Sequence, residues 1–191
     1  MIVFIVLVTL LILYIVYENH TRNKELLKYA QTDALTGLYN KETTEQLTDE
    51  LLSEDENKSH AFLILDVDCF KQINDIYGHA VGDIVLQKFG KLLKGTFREG
   101  DILGRIGGDE FGVIMKNIQT KDIAMKKAEE LLAKTQAYKI DELKGNNISI
   151  SIGISTAPQD GDCYMDLYKR ADQALYQAKR SGKARVCNYF S

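Results

Sequence analysis

Cysteine, proline and histidine are scarce in this chain of 191 residues, which has three cysteines, one proline and three histidines. Cys69, Cys163 and Cys187 are an odd set with no CxxC spacing, which argues against a disulfide framework or a structural zinc site and suits reduced thiols in a cytosolic domain. A single proline and no low-complexity run leave little room for disorder. Positive charge is also short: 24 Lys and Arg against 27 Asp and Glu give a formal charge of -3, so there is no global basic surface for a long nucleic acid. A small anionic ligand held by a few local cations stays compatible with that balance. With 45% hydrophobic residues the chain supports one domain with a substantial core plus a short appendage, and two full domains would be cramped.

The appendage is N-terminal. Residues 1–17 are apolar except for Thr9, and at ~1.5 Å per residue they reach about 25 Å, the short end of membrane-spanning helices. No basic n-region precedes the run and no small-x-small cleavage signal follows it, which favours an uncleaved transmembrane helix over a signal peptide. Arg22, Lys24 and Lys28 come next, so the positive-inside bias predicts a single-pass protein of the inner (cytoplasmic) membrane with its C-terminal part in the cytoplasm. Residues 18–31 read as a helical linker with Leu26, Leu27 and Ala30 on one face, either a stalk that pairs with a second copy or a solvated connector. Residues 32–191 make up the domain proper.

Within that domain, hydrophobic periodicity predicts a helix over 41–53, a buried strand over 60–67 and helices over 70–77 and 81–97. A central hairpin follows, then a helix over 121–138, a strand over 147–156, a helix over 164–180 and a last strand near 186–189. From the first strand onward the order is β-α-α-β-β-α-β-α-β, which predicts an α+β fold with a mixed, mainly antiparallel sheet backed by helices.

The hairpin turn carries Arg105-Ile106-Gly107-Gly108-Asp109-Glu110-Phe111. Two glycines able to take positive φ, followed by two acids, suit a tight turn that presents carboxylates at its tip. Taken alone, this heptapeptide reads equally well as an acidic solvent-facing hairpin. The first strand, however, ends in Asp66-Val67-Asp68, and a buried carboxylate is costly unless paired or metal-bound. In the expected sheet Asp66, Asp109 and Glu110 converge on one metal position. Oxygen ligands without a nearby Cys or His pair point to a hard cation, Mg²⁺ or Mn²⁺, of the kind that also binds substrate phosphates. Lys71 and the amides at the start of the following helix are placed to cradle a triphosphate, while Asn74 and Asp83 offer contacts to a base edge. A carboxylate can accept from N1-H and N2-H of guanine, which predicts GTP over ATP.

These segments together resemble the GGDEF family, the diguanylate cyclases. Gly107-Gly108-Asp109-Glu110-Phe111 resembles the family signature, Asp33-Ala34-Leu35-Thr36-Gly37-Leu38-Tyr39-Asn40 its opening segment, and Asp66 through Asp75 its metal and phosphate segment. Gly78-His79-Ala80-Val81-Gly82-Asp83 resembles the base-binding segment, and Ala171 through Lys179 the closing helix. The resemblance implies a ferredoxin-like, palm-like nucleotidyl cyclase fold. It implies condensation of two GTP into cyclic di-GMP with release of two pyrophosphates, at the interface of a homodimer whose protomers each hold one nucleotide. Asp66, the Val67 carbonyl and Asp109 would ligate the metals, and Glu110 would assist there or help deprotonate the attacking hydroxyl, the two roles being undivided between Asp109 and Glu110. Lys71, Lys179 and Lys183 would neutralise phosphate charge, with Phe70, Asn74, His79 and Asp83 completing the substrate site. Lys183 stands where the family often has Arg, which keeps the charge and removes a bidentate fork. Lys41 likewise replaces a common Arg. Arg98 and Asp101 resemble the inhibitory RxxD site that binds product, the plain alternative being a surface ion pair. A receptor of the same fold that holds GTP or cyclic di-GMP without turnover is the main rival function, and a unit that only dimerises is a further one.

Overall fold

The computed structural model describes residues 12–18, 30–54 and 58–189. The apolar run at His60 becomes β1 (His60–Val67), buried along its whole length. Around it, in chain order, stand α1 (Lys41–Glu54), α2 (Phe70–Tyr77), α3 (His79–Thr96), β2 (Ile102–Arg105), β3 (Glu110–Met115) and α4 (Lys121–Ala137). A single 3-10 turn (Asp141–Leu143), β4 (Ile150–Ala157), α5 (Tyr164–Arg180) and β5 (Val186–Asn188) complete the domain.

The strands form one sheet in the order β2-β3-β1-β4-β5. Every pairing is antiparallel except β4 with β5, so the expected mixed, mainly antiparallel α+β sheet is what forms. A central strand covered on both sides reads as a continuous hydrophobic run, which is why β1 lacks alternation. Ala61, Leu63, Leu65 and Val67 face Val85, Phe89 and Leu93 of α3 and Ala128 and Leu131 of α4. Phe62 and Ile64 face the other way, against Leu51 and Leu52 of α1 and Tyr164, Leu167 and Leu175 of α5. Fully burying such a side chain stabilises by roughly 1.5–3 kcal/mol. Phe62, Leu63, Ile64, Leu65 and Val67 thus outweigh the several kcal/mol that a buried carboxylate at the strand end costs.

Two element starts differ from expectation by two residues or more. Helix α3 begins at His79, two residues early, because Gly78 at φ 85° and ψ 158° turns the chain within one residue and serves both helices. Its N–H closes α2 on the Asn74 carbonyl at 2.9 Å. Strand β4 begins at Ile150, which pairs with Val67 at the end of β1; one backbone bond continues past it, from the Asp68 N–H to the Ser149 carbonyl at 2.8 Å. Ile148 is nevertheless buried on the same core as Ile150, Ile152 and Ile154.

The expected membrane span over 1–17 falls largely outside the described residues, as does most of the linker over 18–31. Residues 12–18 are helical, with Ile12 to Tyr17 exposed. Among the described residues no helix is long and apolar enough to cross a membrane.

Candidate active site

The sheet register builds the site. Asp66 pairs with Glu110 on β3 and Ser151 on β4, and the Val67 N–H donates to the Asp109 carbonyl at 3.2 Å. Strand alternation puts Asp66 on the face of Phe62 and Ile64, under the C-terminal end of α5. There Lys179 Nζ meets Asp66 Oδ2 at 2.7 Å. Helix α5 lies this close because β4 carries Gly153, where a Cβ would stand 2.1 Å from the Ala171 carbonyl oxygen and 2.4 Å from Leu175 N.

Burial drives the Asp66 pKa above the ordinary carboxylate range. Lys179 works against that shift, and the charges of Asp109 and Glu110 reinforce it. Tyr168 on α5 is also raised, by burial first and then by the charge of Glu110. The three acids are sheet neighbours, as expected, but their carboxylate oxygens are not all within 4.8 Å of one another, a spacing that Asp162, Cys163 and Asp166 at the exposed start of α5 do meet. Convergence on one ion position therefore needs side-chain rotation: like charges spread apart, and Lys179 engages Asp66. The donor set itself, carboxylates plus the carbonyl of Val67, suits a hard divalent cation.

At the hairpin tip the glycines act differently from the expectation. Neither Gly107 nor Gly108 has positive φ. Gly107 leaves room for Glu110: a Cβ there would stand 2.7 Å from Glu110 Oε2 and 3.1 Å from Glu110 Cβ. The amides of Ile106 and Gly107 both donate to the Glu110 carbonyl, at 3.0 and 3.2 Å. The tip is then held by Arg105, whose role the sequence reading left unassigned. Its Nε and Nη2 donate to the Gly108 carbonyl at 3.1 and 2.7 Å, and its Nη1 pairs with Asp33 Oδ2 at 3.1 Å. Asp33 in turn accepts from Thr36 N and Oγ1 at 2.8 and 2.6 Å. Its partial burial pushes the pKa up, but the Thr36 hydrogen bonds and Arg105 win and hold it below the usual range. Tyr39 of the same segment exchanges backbone bonds with Leu103 and Arg105 on the edge of β2. The opening segment is thus a clamp on the hairpin, signalled in sequence by the Asp-x-x-Thr turn.

Asp68, two residues past Asp66, is fully engaged. It accepts Ser149 Oγ at 2.6 Å, Ser151 Oγ at 2.7 Å and the Ala184 N–H at 3.1 Å. It fixes the strand end and the chain after α5, which leaves Asp66 as the acid facing the site.

Helices α2 and α3 follow the end of β1 and pack on the sheet face opposite to α5. Gly82 on α3 gives space to Asn74 and Phe70, since a Cβ there would lie 2.0 Å from Asn74 Oδ1 and 3.2 Å from the Phe70 ring. Asn74 therefore packs on α3 at Gly82, the position before Asp83. Lys71, His79 and Asp83 are exposed. Lys183 Nζ lies 3.0 Å from Cys69 Sγ, and that contact keeps its pKa above the usual lysine value.

Arg98 and Asp101 lie at the other end of the β2–β3 hairpin. Asp101 accepts Arg98 Nε at 3.0 Å, Arg98 N at 3.3 Å and Lys116 N at 3.1 Å, while Arg98 Nη2 donates to the Lys116 carbonyl. The Asp101 side chain is 4% exposed and that of Arg98 60%.

Fold and site together define an α+β domain with a carboxylate cluster beside a helix start, suited to a cation and a phosphorylated ligand. The chain belongs to the family described as diguanylate cyclase, GGDEF domain, which it matches over residues 30–185. Diguanylate cyclase A of Treponema denticola is 37% identical over 170 residues, 86% of this chain and 46% of that protein. The response regulator PleD of Caulobacter vibrioides is 37% identical over 177 residues, 89% of this chain and 39% of that protein. The chain therefore spans less than half the length of these two relatives. Among solved structures, the GGDEF domain of TpbB (YfiN) from Pseudomonas aeruginosa superposes with a TM-score of 0.78 at 33% identity, over 83% of this chain and 94% of that one. The coiled coil and GGDEF domain of DgcB from Caulobacter crescentus, in complex with c-di-GMP, gives a TM-score of 0.83 at 25% identity, over 91% and 93%.

Proposed function

We propose that the protein is a diguanylate cyclase that condenses two GTP into cyclic di-GMP with release of two pyrophosphates. The observation that carries this reading is the register pairing of Asp66 with Glu110, beside Asp109 and below Lys179. In the proposed reaction the 3′-hydroxyl of one GTP attacks the α-phosphate of a second, held by a second copy of the chain. A P–O bond forms, the bond to pyrophosphate breaks, and the hydroxyl proton leaves; repetition in the other direction closes the ring. Asp66, the Val67 carbonyl and Asp109 would hold a divalent cation, Mg²⁺ or Mn²⁺. When bound, such an ion stabilises charge on the phosphate and lowers the hydroxyl pKa. Lys71, Lys179 and Lys183 neutralise the polyphosphate, with Lys179 released from Asp66 as the site fills. Asn74 and Asp83 select guanine, Phe70 packs the groove, and His79 lies at its rim. Glu110 receives the hydroxyl proton or supports the cation.

Residues 1–17 tether the domain to the membrane in this reading, residues 18–31 bring two copies together, and Arg98 with Asp101 binds product and restrains the pair. The test is to incubate the purified protein with GTP and Mg²⁺ and identify the nucleotides by chromatography and mass. Cyclic di-GMP and pyrophosphate are expected. GTP that stays bound and unconverted, even with dimerisation enforced, contradicts the cyclase reading and favours a receptor of the same fold.

A further inference from the structure

Cys69 stands at the start of α2 in the left-handed region, φ 59°, yet its side chain caps no helix amide. It is exposed, and its Sγ faces Lys183 Nζ at 3.0 Å, across 114 positions of sequence. The lysine is brought there by a turn unusual in its own right. Lys183 and Ala184 both have positive φ, 62° and 49°, without being glycine. The turn persists because the Ala184 N–H is held by Asp68 Oδ2, and Asp68 is itself fixed by Ser149 and Ser151. Two left-handed turns, one on each side of Asp68, therefore aim a thiol and an ammonium at each other. Both sit at the first turn of α2, whose leading amides have no intrahelical partner.

We infer that Cys69 is a positioning residue for Lys183, holding the ammonium over the first turn of α2, where the GTP phosphates of the proposed reaction would sit. The inference rests on that reading for the identity of the ligand. Lysine is a point charge on a flexible stem, without the fixed fork of arginine, and it loses rotamer freedom when it binds. An ammonium has three donors, so one N–H on sulfur leaves the others for phosphate oxygens. A thiol in contact with the ammonium before the nucleotide arrives reduces the ordering left for binding. It compensates locally for Lys183 being Lys rather than Arg.

The experiment is a double-mutant cycle on the full chain with two readouts: affinity for 3′-deoxy-GTP with Mg²⁺ by calorimetry, and KM and kcat for GTP. Cys69→Ala is expected to weaken 3′-deoxy-GTP binding and raise KM roughly three- to tenfold, the loss of one modest hydrogen bond, with the change falling on KM rather than kcat. In a Lys183→Met background the same substitution is expected to do nothing further. Cys69→Ser keeps an acceptor near the ammonium and is expected to restore most of the affinity, which also controls for misfolding. Equal weakening in both backgrounds, or no weakening in either, overturns the inference, and so does a wild-type protein that fails to bind 3′-deoxy-GTP. Wild type that binds the analogue but makes no product from GTP overturns the cyclase reading alone, and the binding cycle still decides the role of Cys69.

Discussion

The two ends of the β2–β3 hairpin treat their acids in opposite ways. At the open end Asp101 is 4% exposed and saturated, with two donors from Arg98 and one from Lys116 closing the loop. At the tip, Asp66, Asp109 and Glu110 are neighbours whose carboxylates stay spread apart, Lys179 pairs with Asp66, and the Asp66 pKa is pushed up. Asp101 stabilises the fold it sits in, whereas burial of Asp66 opposes its ionisation. A buried carboxylate is thus not informative by itself. What distinguishes a structural acid from a candidate catalytic one is whether its oxygens already have donors, a contrast repeated between Asp68 and Asp66 only two residues apart.

Substitutions can break that contrast, and the largest effect belongs to the tip. Asp109→Ala is expected to lower cyclic di-GMP synthesis about a thousandfold, as loss of a principal electrostatic group does. Circular dichroism should remain near wild type; full retained activity would remove Asp109 from the metal assignment. Asp66→Asn should also abolish product formation, with an informative pH signature. A carboxyl raised on folding favours the native state only while protonated, so its cost is absent at low pH and grows as pH rises through the folded pKa. The variant is therefore expected to melt no lower than wild type at neutral pH, any advantage fading as the buffer is made acidic. A clear loss of Tm at neutral pH would mean that the Lys179 pair outweighs the burial and repulsion.

Arg105→Ala sharpens the comparison from outside the acids. Releasing Gly108 and Asp33 together should destabilise by about 1–3 kcal/mol and lower kcat by loosening the tip, measured by chemical denaturation and steady-state kinetics. Asp101→Ala should cost about 1–2 kcal/mol, because the Lys116 N–H and the Arg98 guanidinium lose their acceptor. The smallest stability effect belongs to Arg98→Ala, within about 1 kcal/mol for an exposed partner. Its expected consequence is functional, a product-inhibition curve shifted to higher cyclic di-GMP; an unchanged curve would reduce Arg98 to a loop clamp.

Much of the domain was legible in the residues. The buried run His60 to Val67, the Gly78 break and the helix over 164–180 are local signals of burial and periodicity, and each became the expected element. The element order allowed the end of β1 and the hairpin to be neighbours, and Asp66 does pair with Glu110. What escaped was long-range pairing. Nothing near Arg105 announces Asp33, 72 positions away, and nothing near Asp68 announces Ser149, 81 positions away. The tip turn forms for a different reason from the one its two glycines suggest: Gly107 gives space to Glu110, and neither glycine takes a positive φ. The family pattern marks Lys179 as an expected phosphate ligand; in the structure its ammonium pairs with Asp66.

The most direct test of the account is thermal melting of wild type, Asp66→Asn and Asp109→Ala with and without Mg²⁺ plus 3′-deoxy-GTP, a nucleotide that cannot cyclise. Wild type is expected to gain Tm only when both are present, and either substitution to remove most of the gain. The same gain in all three proteins would mean that the carboxylates at the tip do not hold the cation.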